Sequence, residues 1–86
     1  LKNYGIALWG KCMSAFEKIV SERIFTSIFK QLSFESYDAT AKMLLLKLPS
    51  KLIYEKLESN YIDTLRLVLN KFFGKGIQLR YRIQQA

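Results

Sequence analysis

The feature of this chain that most constrains its fold is a change from a strand pattern to a helical pattern at a single proline. Strand-type residues run from Leu44 to Leu48, and Pro49 ends the strand because it has no N–H to donate to a sheet. Ser50 then offers a side-chain oxygen that can cap the free amides of a helix beginning at Lys51. The segment therefore predicts a strand, a sharp corner and a helix.

The helix after this corner is long and amphipathic. Gly74 is the residue type that commonly closes a helix, so we predict one helix from Lys51 to Phe73. Its apolar residues recur at spacings of three and four, which place them along one side of an α-helix, and they are Ile53, Leu57, Tyr61, Leu65, Val68 and Phe72.

Two further helices are predicted in the first third of the chain. The first covers Tyr4 to Val20, and Ser21 caps the second, which has Glu22 in its first turn and ends near Gln31. The first helix has a wide apolar face, on which we expect one central line with further apolar residues beside it. The central line is Leu8, Cys12, Phe16 and Ile19, and Trp9, Met13 and Val20 lie beside it.

Three strands complete the predicted elements. Leu32–Tyr37 and Ala41–Leu48 flank a turn at 38–40, and Ile77–Ile83 alternates apolar and polar residues after a glycine-rich turn. The leucine-rich run also suits a helix, but its proline stop and its alternation favour a strand. The order α-α-β-β-α-β predicts an α+β domain in which one three-stranded sheet packs against three helices.

The residue types that most catalytic and metal sites need are missing. The 86 residues contain no histidine, which excludes Ser-His-Asp and Cys-His arrangements and histidine metal sites. The single cysteine, Cys12, excludes an internal disulfide and lies on an apolar helix face as an ordinary thiol. The sequence Gly74-Lys75-Gly76 follows a helix and lacks the ending of a phosphate loop. We therefore expect no enzymatic activity, no cofactor and no metal.

Length and hydropathy predict a single domain over residues 1–86. No apolar run is long enough to cross a bilayer and no signal peptide is visible, so we expect a cytoplasmic protein without membrane contact. Because the chain starts at Leu1 rather than at methionine, we expect it to be one part of a longer protein.

The positive charge is concentrated at one end of the chain. Residues 1–63 carry nine bases and seven acids, whereas residues 64–86 carry five bases and no acid. Such an end can be a solvated surface, or it can attract nucleic acid or an acidic protein surface. The five bases are Arg66, Lys71, Lys75, Arg80 and Arg82.

Helices packed on a three-stranded sheet are similar to the KH class of nucleic-acid-binding folds. KH domains grip the backbone with a GxxG loop between two helices, but Val20-Ser21-Glu22 joins the helices here without glycine. Tyr81 lies between Arg80 and Arg82 and has the chemistry to stack on a base, although the strand alternation predicts that it points to the core. A KH-like domain that binds single-stranded nucleic acid through the five bases remains the alternative function.

Trp9 has two interpretations that helical spacing leaves open. It lies one position away from Leu8 in the predicted central line of the first helix. It is either a core tryptophan or an exposed anchor for self-association or a partner, since tryptophan is enriched at the energetic centres of interfaces.

Several motifs in collinear order resemble the N-terminal domain I of the bacterial replication initiator DnaA. The resemblance covers roughly residues 6–84, and positions Ile28, Gln31 and Lys56 depart from it as in a divergent member. The motifs are Leu8-Trp9-x-x-Cys12-Met13-x-x-Phe16, then Phe25 and Leu32, then Leu48-Pro49-Ser50-x-Leu52, Tyr61-Ile62 and Leu79-Arg80-Tyr81-Arg82-Ile83.

The resemblance implies a recruitment module of a replication initiator rather than its ATPase or its origin-reading part. A module of this kind forms a weak homodimer, contacts the replicative helicase and binds regulators of initiation on its second and third helices. By the same resemblance, Leu8 and Trp9 match the family's self-association patch, whereas Phe25 and Leu32 match its core. Weak affinity for single-stranded DNA is also implied.

Overall fold

The computed structural model describes residues 4–84, which form helices on one side of a three-stranded sheet. The helices are α1 (Tyr4–Ile19), α2 (Glu22–Ser27), α3 (Lys51–Lys56) and α4 (Ile62–Phe73). The strands are β1 (Ser33–Asp38), β2 (Met43–Leu48) and β3 (Gln78–Ile83). A 3-10 turn (Phe29–Gln31) follows α2, and a π-helical turn (Leu57–Tyr61) joins α3 to α4. None of the helices in residues 4–84 has the length and apolarity to cross a membrane.

The sheet is mixed, with the strand order β1-β2-β3. β1 is antiparallel to β2, and β3 is parallel to β2. Two parallel neighbours need a long crossover connection, and the helical segment from α3 to α4 supplies it. The structure confirms the predicted α+β class and the predicted order, with the last predicted helix divided in two.

Hydrogen bonds at the element ends explain where two helices begin. Ser21 Oγ accepts a hydrogen bond from the Ile24 N–H at 3.2 Å, and Ser50 Oγ accepts one from the Ile53 N–H at 3.3 Å. Each serine thus satisfies one of the free amides of its helix, as the sequence predicted. Asp38 Oδ1 accepts hydrogen bonds from two amides in the turn after β1, and these bonds hold the chain in the turn. β2 therefore begins at Met43 and not at Ala41, where the sequence predicted its start.

The core lies between the helices and one face of the sheet. Leu44, Leu46 and Leu48 are all completely buried, which confirms the predicted alternation in β2. The intervening residues of β2, together with Arg80 and Arg82 of β3, lie on the opposite face, which none of the helices in residues 4–84 covers. We call this second face the open sheet face.

The buried line of α1 differs from the predicted one. The structure buries Gly5, Trp9, Cys12 and Phe16, while Leu8 is half-buried and Ile19 is 52% exposed. Trp9, predicted beside the line, therefore replaces Leu8 at its centre. The physical reason is a close approach at Gly5, where an added Cβ would lie 2.8 Å from Phe34 Cζ. A glycine there lets α1 come close to β1, and this rotates Trp9 inward.

The long helix also differs from its prediction, because it is not a uniform α-helix. Its five central residues wind as a π turn, in which Tyr61 has φ −127° and ψ 8°. A π turn inserts extra chain and changes which residues of the following helix face the core. Leu69, absent from the predicted line, is completely buried, whereas Phe72 is only half-buried.

Candidate functional site

The two residues predicted to form a self-association patch differ in accessibility. Trp9 is 7% exposed, and its indole packs edge-on against Phe16 with ring centroids 6.0 Å apart. That burial is typical of a core tryptophan, one of the two interpretations that the sequence left open. Leu8 is half-buried and keeps a surface that a partner can reach. The self-association role of the pair stays a prediction, with Leu8 as its accessible member.

The five bases at the end of the chain do not form one patch. Arg80 and Arg82 lie on the open sheet face, where Arg82 is in register with Lys47 of β2. Arg82 Nη2 lies 2.9 Å from Glu35 Oε2 in an ion pair on the same face. Arg66 lies on α4 beside the free edge of β3, and Lys75 is in the turn before β3. The fold therefore separates residues that the sequence places close together.

Lys71 belongs to a different basic surface, between α1 and α4. Its ammonium lies 5.5 Å from the ring centroid of Phe72, which is within the range of a cation–π contact. The same surface depression is lined by Lys11 and Lys18. Sequence reasoning missed these two lysines, although their spacing of seven residues places both on one face of α1.

A hydrogen bond between Tyr81 and Glu58 connects β3 to the π turn. The Tyr81 hydroxyl donates to Glu58 Oε2 at 2.7 Å, and the Tyr81 ring packs edge-on against Tyr54 with centroids 5.3 Å apart. Burial, and secondarily the hydrogen bond and charge of Glu58, raise the pKa of Tyr81 above its ordinary value. Tyr81 thus faces the helices, as the alternation predicted, and is not free to stack on a base from the open sheet face.

These residues form the wall of a groove of about 530 Å³ along the free edge of β3. Tyr54, Glu58 and Arg66 line it from the helical side. Leu79, Arg80, Tyr81 and Ile83 line it from the strand. The groove was not predicted, because it depends on how the α3–α4 segment crosses the sheet, and no local pattern encodes that crossing.

The remaining candidate chemistry is structural. Cys12 is completely buried, and this burial raises the pKa of its thiol to about 12, which makes it a poor nucleophile at neutral pH. Within residues 4–84, the acidic and sulfur side chains do not gather in any group of three or more that could hold a metal ion. What the described surface offers is shallow grooves and charged faces, which suit contacts with macromolecules.

Comparison with protein families gives a match over most of the chain. The sequence model described as the DnaA N-terminal domain matches residues 7–71. The chain is 31% identical over 78 residues to the chromosomal replication initiator protein DnaA of Flavobacterium psychrophilum, and equally to that of Bacteroides thetaiotaomicron. Each match covers 91% of this chain but only 16% of the relative. The chain thus spans about a sixth of the length of these relatives.

The fold has a counterpart among solved structures. A chain in the crystal structure of a HobA-DnaA (domain I-II) complex from Helicobacter pylori superposes with a TM-score of 0.68 at 14% identity. The match covers 92% of this chain and 98% of the other. At this low identity the likeness establishes the fold.

Proposed function

The chain belongs to the DnaA N-terminal domain family, and from this membership we propose that it is a protein-interaction module of a DNA replication initiator. The observation that carries the proposal is the family match over residues 7–71. The module acts by bringing copies of the initiator together and by binding the replicative helicase and regulators of initiation. It works in the cytoplasm and has no catalytic activity of its own.

Self-association uses the accessible part of α1. Leu8 is half-buried, so part of its side chain is available to a second copy. Tyr4, one turn before Leu8 on the same helix, is 55% exposed. A partly accessible leucine beside an exposed tyrosine gives a small apolar contact, and small contacts produce weak association.

Sedimentation equilibrium of the chain tests this part of the proposal. Wild type is expected to show a concentration-dependent dimer, and Leu8→Glu is expected to abolish it by placing a charge in the contact. Leu67→Glu is the matched control, because Leu67 is 66% exposed and belongs to α4 rather than to α1. A wild type that stays monomeric at every concentration, or a dimer that Leu8→Glu leaves intact, contradicts self-association through α1.

Regulator binding is proposed on the second and third helices. The HobA-DnaA complex shows that a protein of this fold from Helicobacter pylori has a protein partner. Half-buried Phe25 and exposed Glu22 of α2, with exposed Lys30 of the following 3-10 turn, border a shallow depression, which combines an apolar surface with charges of both signs. Phe25→Ala and Lys30→Glu are expected to weaken binding of a cognate regulator or helicase in biolayer interferometry, while Leu67→Glu is not.

Weak binding of single-stranded DNA is the second candidate, favoured by the three lysines Lys11, Lys18 and Lys71 around Phe72. Fluorescence anisotropy with a labelled oligothymidine tests it at about 50 and 200 mM salt, the range over which phosphate contacts weaken strongly. Binding that disappears at the higher salt and in Lys71→Glu supports a general electrostatic attraction. Submicromolar binding that persists at the higher salt would make nucleic acid the primary ligand.

A further inference from the structure

The outer edge of β3 carries backbone groups that nothing within residues 4–84 pairs with. β3 is the last strand of the sheet, and its inner edge pairs with β2. Gln78 N–H donates to the Lys42 carbonyl at 2.7 Å, and Gln84 N–H donates to the Leu48 carbonyl at 2.8 Å. In a parallel pair, this register turns the backbone groups of alternate residues, 78, 80, 82 and 84, toward β2. The amides and carbonyls of Leu79, Tyr81 and Ile83 therefore point to the outer edge.

The side chains of these same three residues form an incompletely covered apolar surface. Each is half-buried, although each is paired in register with a completely buried leucine of β2, namely Leu44, Leu46 or Leu48. The groove described above lies beside them, and the ring of Tyr54 forms part of its far wall. An additional strand at this edge would therefore gain both hydrogen bonds and apolar contacts.

The charges around the edge of β3 determine which side chains an added strand should carry. Of the two acids near it, Glu35 is paired with Arg82, and Glu58 lies on the helical side of the groove, where it accepts a hydrogen bond from Tyr81. In the part of the chain that the structure describes, neither Arg66 nor Arg80 forms an ion pair with a carboxylate. Both line the groove. The edge therefore presents unpaired positive charge beside an apolar surface.

From this arrangement we propose that the free edge of β3 binds an extended acidic peptide of a partner protein as a fourth strand. Apolar side chains of the peptide would lie in the groove against Tyr81 and Ile83, and its alternate acidic side chains would lie beside Arg80 on the open sheet face. Edge addition of this kind takes affinity from main-chain hydrogen bonds and specificity from alternate side chains. The inference deepens the proposed interaction function and rests on it.

A second copy of the chain does not meet these requirements. Pairing β3 with β3 of another molecule would place Arg80 and Arg82 beside their equivalents, and like charges directly opposite in a sheet are destabilising. The acidic peptide replaces that repulsion by attraction, because a carboxylate placed beside Arg80 meets a guanidinium that has no ion-pair partner within residues 4–84.

The test uses a fluorescein-labelled peptide of about six residues, the length of β3, in which valine alternates with glutamate. Titration followed by anisotropy should show saturable binding, and a peptide with lysine in place of glutamate should not bind. Arg80→Glu should weaken binding by about tenfold or more, as expected when a charge-assisted contact is lost. Arg23→Glu, on the exposed surface of α2, is the matched control and should leave the affinity unchanged.

Amide hydrogen exchange with the same peptide separates edge addition from charge attraction. Bound peptide should slow exchange at Leu79, Tyr81 and Ile83, whereas Arg80 and Arg82 are already bonded to β2 and should change little. An N-methyl group on each peptide amide that faces β3 should remove the binding. Binding without this alternating protection overturns the proposal, as does stronger binding of oligothymidine at the same arginines or a dimer formed through β3. Self-association through Leu8 is measured by sedimentation, whereas peptide binding at the edge is measured by anisotropy and hydrogen exchange. Failure of α1-mediated self-association can therefore be distinguished from failure of the edge site.

Discussion

The Tyr81 hydroxyl lies 2.7 Å from Glu58 Oε2, so the last strand of the sheet is bonded to the one turn of the long helix that departs from α-helical winding. The two residues are 23 positions apart in the chain. The bond holds the aromatic ring of Tyr81 against Tyr54 and fixes one wall of the groove at the edge of β3.

Removing this bond is expected to destabilise the fold modestly. Tyr81→Phe keeps the ring but leaves the half-buried Glu58 carboxylate without its donor, which costs about 1 kcal/mol of unfolding free energy. Urea denaturation followed by circular dichroism measures the change. Tyr4→Phe is the control, because Tyr4 is 55% exposed, and an equal loss in both variants would contradict the structural role of the bond.

Replacing two glycines of α1 with alanine should change the free energy of unfolding in opposite directions. A Cβ at position 5 would lie 2.8 Å from both Phe34 Cζ and Tyr37 Cβ, so Gly5→Ala is expected to cost about 1–3 kcal/mol through overpacking. A Cβ at Gly10 would meet nothing within 4 Å, so Gly10→Ala is expected to add about 0.5–1 kcal/mol by reducing the entropy of the unfolded chain. Thermal and urea denaturation measure both, and a stabilising Gly5→Ala would contradict the close contact of α1 with β1.

Substitution of Trp9 should mainly lower the stability of the fold, whereas substitution of Leu8 should mainly weaken self-association. Trp9→Ala removes a core side chain that is 7% exposed, and it is expected to cost about 3–5 kcal/mol of folding stability. Leu8→Ala removes a side chain that is only half-buried, so it should change stability by less while weakening the dimer. A folded Trp9→Ala variant of wild-type stability that no longer associates would instead show that Trp9 acts at an interface.

Cys12 should be unreactive in the folded protein. Burial raises its thiol pKa from 9.0 to about 12, so the native chain is expected to resist iodoacetamide near pH 8 and to react only after unfolding in urea. Rapid labelling of the native chain would contradict the burial.

The raised pKa of the Cys12 thiol should also make the folded protein less stable at alkaline pH. The folded state holds the thiol proton more tightly than the unfolded state, so this contribution is complete below pH 9 and is lost as the pH rises from 9 toward 12. The urea midpoint should therefore decrease less between about pH 8 and pH 10 in Cys12→Ala than in wild type. An equal decrease in both proteins would contradict the linkage.

The sequence predicted most elements because their signals are local. Pro49 acts through the N–H that it lacks, and the two capping serines act through bonds to amides three residues away. The alternation of Leu44, Leu46 and Leu48 follows from strand geometry alone. The line on α1 was wrong by one position because a continuous apolar run such as Ala7-Leu8-Trp9 is compatible with more than one rotation of the helix. The close approach at Gly5 chooses between them.

The sequence by itself determined the class of this domain, its element order and its likeness to a family of replication initiators, because periodicity, capping and motif order are carried by residues near one another in the chain. Only the tertiary structure decided which side chains share a surface. It divided the five C-terminal bases between the open sheet face, the β3 edge, the turn before β3 and the surface near α1, and it brought Glu58 to Tyr81. Such groupings depend on the rotation of each helix and on how the crossover lies over the sheet, and both are set by packing between distant segments.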